Sequence, residues 1–365
     1  MDAFYYTFLS LRGIQAGKEY YVSMCPLKLI PRIFLYNEAE LNPELRAQRT
    51  LNRARIPDIA SYMVENTKSY TFSALTASID GDITFEPLEN QGINRNVGHL
   101  KIPMGAQFLI NDGQHRRAAI EEALTKRPDL GDETISVVFF IDTGLKRSQQ
   151  MFADLNKHAV RPTKSLGILY DYRDPMSELA RMLTIAVPVF NGLTEMEKTT
   201  ISNRSTKLFT LSTIYQATQA LLRKKKAADI SDDEKQKAID FWIEVTKMIP
   251  DWQHAKERKV DTASLRRDYI HAHGLALHAI GIVGSDLLEL HPNDDWKNRL
   301  TKLLFIDWSR ANAPLWEGRA LIGGRVSKAY NNLVLTVNVL KKILELPLSK
   351  EEDRIETLWG KGYSL

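Results

Sequence analysis

The chain has 365 residues, 44% hydrophobic and 26% charged, which is enough apolar material for two packed domains and too ordinary a balance for a disordered chain. Its single cysteine, Cys25, excludes an internal disulfide framework and a four-cysteine zinc or iron–sulfur site built by one chain. No apolar run reaches membrane-spanning length and MDAFYYTFLSLRG has no leader pattern, so the expected location is cytoplasmic; the net charge of +4 permits attraction to nucleic acid without demanding it.

In chain order, YYTFLSL and EYYVSM read as short strands around the Gly13 to Gly17 turn, with Cys25 a small buried hydrophobe in the second. NPELRAQRTLNRA and IPDIASYMVEN read as helices, the first opened by Asn42 and Pro43 and the second restarting after Pro57. YTFSALTASI and DITFEP read as strands joined in a tight hairpin at Asp80-Gly81, followed by VGHLKIP, AQFLI and, after one helix, the buried strand ISVVFFID. Strands and helices mix without regular alternation up to about residue 145, so the class is α+β. From KRSQQMFADLN onward the spacing is helical in nearly every long segment, and the boundary is set at residues 1–165 and 166–365.

The most informative stretch is FLINDGQHRRAAIEEAL, residues 108–124, where an apolar strand gives way to a helix. With Asn111 or Asp112 as cap and Gly113 giving the turn room, the free N–H groups of the first helical turn form an anion site. Ala119, Ile120, Ala123 and Leu124 mark the buried stripe, and His115 and Arg116 continue it toward the helix start. Two readings stand side by side. In one, Gln114, His115 and Arg116 donate to phosphate oxygens; in the other, Asp112 neutralises Arg116 in a purely architectural knot.

Other constellations are weaker. Arg46, Arg49 and Arg53 recur at helical spacing and suit phosphate contact, Arg53 being the preferred pocket member. Arg204 and Lys207, which precede a helix and could dock a phosphate at its start, and the run Arg223, Lys224, Lys225 and Lys226, which equally reads as helix-end cations favoured by the dipole, are candidate DNA contacts. His271, His273 and His278 lack metal-ligand spacing, so no metal site is expected, and Trp308 and Trp316 read as structural.

Asp112-Gly113-Gln114-His115-Arg116 is the name motif of the DGQHR-domain proteins, and the helix start resembles the Gly-x-x-Arg start of the ParB/sulfiredoxin superfamily, whose motif contacts nucleotide phosphates. MFADLNKHAVRPTKS, residues 151–165, resembles the acidic-x-Asn segment that follows in such folds, which implies that Asp154 and Asn156 share the pocket. RTLNRARIPDIASYM, HGLALHAIG and IDWSRANAPLWEGRALIGGRVSKA extend the likeness along essentially the whole chain to the DndB family of DNA sulfur-modification proteins. That family belongs to gene sets that replace a nonbridging phosphate oxygen of DNA with sulfur, and it is associated with DNA binding and transcriptional control.

The resemblance implies a ParB/sulfiredoxin-like mixed-sheet N-terminal domain, a helical C-terminal domain, and a DNA-binding regulatory or accessory role. The partners are promoter duplex DNA, other modification proteins and a second copy of the chain, with no membrane. ATP or another nucleoside triphosphate with Mg²⁺ is the expected cofactor: Gln114, His115 and Arg116 hold it, Arg53 and Lys157 neutralise it, and Asp154 with Asn156 positions a metal or the ribose. Two alternatives remain, a nucleotide hydrolase in which His115 or Asp154 orders a water, and a scaffold for the modification enzymes. The chain lacks a G-x-x-x-x-G-K-[ST] loop, a Ser-Gly-Gly pyrophosphatase loop and a cysteine cluster, which argues against the sulfur-activating role.

Overall fold

A computed structural model describes residues 4–34, 52–143, 147–157, 162–225, 227–292 and 295–361, and the chain divides into two compact units, Met1–Val160 and Arg161–Leu365. The class is α+β, a mixed seven-stranded sheet followed by a largely helical region.

In the first unit, β1 (Tyr5–Gln15) and β2 (Lys18–Pro26) form a hairpin longer than the sequence suggests, because its turn lies at Ala16-Gly17. Both turn residues have positive φ, 49° and 71°, the backbone that matches the twist of adjoining strands. The remaining strands are β3 (Leu75–Asp80), β4 (Thr84–Pro87), β5 (Val97–Pro103), β6 (Gln107–Asp112) and β7 (Thr134–Ile141), in the order β4-β5-β1-β2-β7-β3-β6.

The expected hairpin at Asp80-Gly81 is not formed. β3 lies between β7, to which it is parallel, and β6, while β4 pairs with β5. Burial explains the outcome: β3 runs Leu75, Thr76, Ala77, Ser78, Ile79 without an exposed position, and a strand covered on both faces belongs inside the sheet rather than on a hairpin arm. Cys25 is fully buried, as its apolar neighbours require, and burial pushes its thiol up to about 12.

Helices α1 (Ile56–Glu65) and α2 (Gln114–Lys126) pack on each other, and α3 (Ser148–Lys157) packs beside β6. The start of α3 is held by the buried Asp142, whose carboxylate accepts from Arg147 N at 3.0 Å and Ser148 Oγ at 2.9 Å.

The second unit packs α4 (Pro175–Ala186), α5 (Leu211–Leu222), α6 (Asp232–Met248), α7 (Thr262–Asp268), α8 (Gly274–Leu290) and α9 (Tyr330–Ile343) around one apolar core, while Ile355 of α10 (Lys350–Gly360) packs with Val334 and Leu335 of α9 in a separate cluster. Small residues bring α5 and α8 close. A Cβ at Gly274 would lie 2.9 Å from Thr213 Cγ2, one at Gly281 2.1 Å from Ala217 O, and one at Gly284 2.8 Å from Leu221 Cδ1. The partner numbers rise together, so the two helices run parallel and their amino ends share one side.

Trp308 and Trp316 are buried and stacked with ring centroids 5.5 Å apart, in keeping with a structural role. Arg319 forms a paired bridge to Glu356 at 2.9 and 2.7 Å and covers the Trp359 ring at 3.8 Å, which ties α10 to this block. Among the described residues, no helix is long and apolar enough to cross a membrane.

Candidate functional site

Strand β6 delivers Asp112 to a glycine turn from which α2 starts. The cap is Gly113 rather than Asn111 or Asp112: its φ of +103° is a left-handed conformation, and it offers no side-chain bond to the helix. A Cβ there would lie 2.4 Å from Leu75 Cδ2 and 3.2 Å from an Arg116 guanidinium nitrogen, so both backbone and space demand glycine. Asn111 is buried and donates from Nδ2 to Ser78 Oγ at 2.7 Å. The N–H groups of the first turn, which no helix satisfies internally, thus receive no cap from the residue before them.

The side chains of the motif turn toward the protein. Arg116 Nη1 donates to the carbonyl of Ser73, to Ser73 Oγ at 2.6 Å and to the Ala74 carbonyl at 2.8 Å, while Nη2 meets Asp112 Oδ2 at 2.6 Å. It thereby fastens the entry of β3 to the start of α2. Gln114 Nε2 donates to the Ile110 carbonyl at 3.2 Å. Sequence reasoning passed over Arg117, which is buried and donates to the Phe34 carbonyl at 2.9 Å, the Pro31 carbonyl at 3.1 Å and Glu121.

His115 receives the backbone N–H of Asn52 on Nε2 at 3.1 Å, so the neutral ring carries its proton on Nδ1. Burial, and then the nearby Arg55 charge, lower its pKa from the ordinary 6.5. The short turn Arg53–Arg55 therefore stands beside the motif, with both arginines exposed at its flank. Arg53 was expected there; Arg55 was not. Asp154 lies on α3, exposed, with its carboxylate accepting from Gln150 Nε2 at 2.7 Å. Arg46, Arg49 and Lys226 lie outside the described residues, as do the side chains of Asn156 and Lys157.

The basic residues proposed for DNA contact divide sharply. Arg223 pairs with Asp286 and Glu289, and Lys224 with Glu234 at 2.8 Å, so much of the helix-end run is already neutralised. Lys225 and Arg204 are exposed, while Lys207 Nζ donates to the Gly192 carbonyl at 2.8 Å. His271 is fully buried, receiving Trp252 Nε1 on Nδ1 at 3.1 Å and facing Asp251 Oδ2 from Nε2 at 3.0 Å. That hydrogen bond holds the Asp251 carboxyl below its usual range. His271 precedes α8 and His273 is its N-cap residue, so neither shares the helix that carries His278. Among the described residues, no histidine, cysteine or carboxylate group of three could hold a metal.

Fold and site together define an α+β protein with a strand–glycine–helix start whose first-turn donors and flanking arginines suit an anion. The match that names its class covers residues 8–347, the model of the family DndB, described as DNA-sulfur modification-associated. The chain belongs to that family. No curated protein and no solved structure matches it.

Proposed function

We propose that the chain is a DNA-binding regulatory protein of a DNA sulfur-modification system, acting on promoter DNA of the modification genes. The single observation that carries this reading is the family match over residues 8–347. The composition supports it, since a chain with net charge +4 and no sulfur-activating motif suits an accessory rather than a chemical role.

In this reading a nucleoside triphosphate with Mg²⁺ modulates the protein at the start of α2. Its phosphates meet the backbone N–H groups after Gly113 and the exposed Arg53 and Arg55, with Asp154 and Asn156 of the neighbouring helix serving the metal or ribose. Arg116 then acts as a positioning residue, since Asp112 and the carbonyls of Ser73 and Ala74 engage its guanidinium. The sheet-to-helix turn also supports a ParB/sulfiredoxin-like assignment for the first unit.

The test is a mobility-shift titration of promoter duplex across a salt series. Affinity is expected to fall by about one power of salt concentration for each phosphate contacted. An affinity indifferent to salt, or no complex at low salt, refutes DNA binding.

A further inference from the structure

The second unit contains a cavity of about 700 Å³ that the motif-based reading does not use. It is lined by residues at the starts of α5 and α8 and by Arg266, Arg267, Arg310 and Lys328. No aspartate or glutamate is among the described residues lining it.

Three features converge on an anion. The parallel arrangement of α5 and α8 aims two positive helix ends at the same side, where Gly274 touches Thr213. Thr210 caps α5 through Thr213 N at 3.2 Å, whereas His273 gives α8 no side-chain cap. Of the lining cations, Arg267 is paired with Asp268 at 2.7 Å, whereas Arg266 and Arg310 are held by carbonyls. Arg266 donates to the carbonyls of Lys207, Ser202 and Ser205, and Arg310 to those of Arg267, at 2.7 Å, and Gly324, at 2.5 Å. Among the described residues, Arg266, Arg310 and Lys328 form no ion pair, and the hydrogen bonds of the two arginines go to carbonyls. A guanidinium has five donors, so the carbonyl contacts fix Arg310 in place and leave it capacity for a ligand.

We propose that this cavity binds a small phosphorylated ligand of nucleotide size, its phosphate seated between the starts of α5 and α8 and held by Arg310 and Lys328. The volume lies within the range of small-ligand sites, about 300–1,000 Å³. His273 adds a neutral wall: burial pushes its pKa down to about 4, and its ring donates from Nε2 to the Arg266 carbonyl at 2.7 Å. The site is separate from the start of α2 and stands whether or not the motif binds nucleotide.

The experiment is isothermal titration of the full chain with ATP, AMP and pyrophosphate, comparing wild type, Lys328→Glu and Arg53→Glu. Lys328 is exposed, so its replacement is expected to leave the thermal midpoint unchanged. Loss of one charge-assisted phosphate contact is expected to weaken ATP by roughly tenfold or more in Lys328→Glu. Unchanged ATP affinity in Lys328→Glu overturns the proposal, even if its DNA affinity falls, as does the absence of binding by all three probes in the wild type. Arg53→Glu reports separately on the motif site, so the two ideas fail independently.

Discussion

Two regions of this molecule set arginine beside helix starts, one within α2 and one at the cavity by α5 and α8, and they treat it differently. At α2 the guanidinium of Arg116 faces the carboxylate of Asp112 and three oxygens of Ser73 and Ala74. At the α5–α8 cavity Arg266 and Arg310 donate to carbonyl oxygens, with Asp261 and Asp268 near them but not hydrogen-bonded to them, while Arg267 beside them pairs with Asp268. A carboxylate cancels the charge, whereas a carbonyl orients it and leaves the field to act on a ligand. The recognisable motif therefore includes a structural arginine, and the more open cationic surface is built by residues that form no motif.

The glycines give the largest test of that contrast. Gly113→Ala combines a positive φ with a 2.4 Å clash against Leu75, and is expected to cost about 3 kcal/mol or more by urea unfolding followed in the first unit. Gly274→Ala has no positive φ and meets the Thr213 side chain at 2.9 Å, a lesser clash for which about 1 to 2 kcal/mol is expected. Equal costs would erase the distinction.

Acid titration probes the second unit next. The folded pKa of His273 is depressed to about 4 from 6.5, so the unfolded chain takes up the proton first as pH falls. The stabilisation is present above pH 6.5 and is lost progressively between 6.5 and about 4, amounting to about 3 kcal/mol. His115 shifts in the same direction in the first unit. His273→Gln should flatten the acid limb of a stability–pH curve; an unaltered slope would contradict the assignment.

Arg116→Ala is expected to cost about 2 to 3 kcal/mol, because it strands the carbonyls of Ser73 and Ala74 and the Asp112 carboxylate. Its ATP affinity at the α5–α8 cavity should match wild type. A variant of normal stability would return Arg116 to the role of a free phosphate ligand.

Much of the local structure was legible in the sequence. The strand-to-helix change at Gly113, the burial of Cys25, the structural tryptophans and the helical second half all follow from short-range patterns. Long-range pairings were not. Asp80-Gly81 has turn chemistry, yet the fully buried β3 takes β7 and β6 as neighbours. Lys224 and Arg223 read as a basic patch until the fold brings Glu234, Asp286 and Glu289 to them. The α5–α8 cavity draws on residues from Thr199 to Lys328, a separation over which sequence spacing carries no geometric information.

The central claim is that this family member binds DNA under the influence of a phosphorylated ligand, and the direct measurement is promoter-duplex affinity with and without ATP and Mg²⁺ at fixed salt. The account predicts a shift of about fivefold or more in dissociation constant. Identical binding curves at saturating ATP would contradict it.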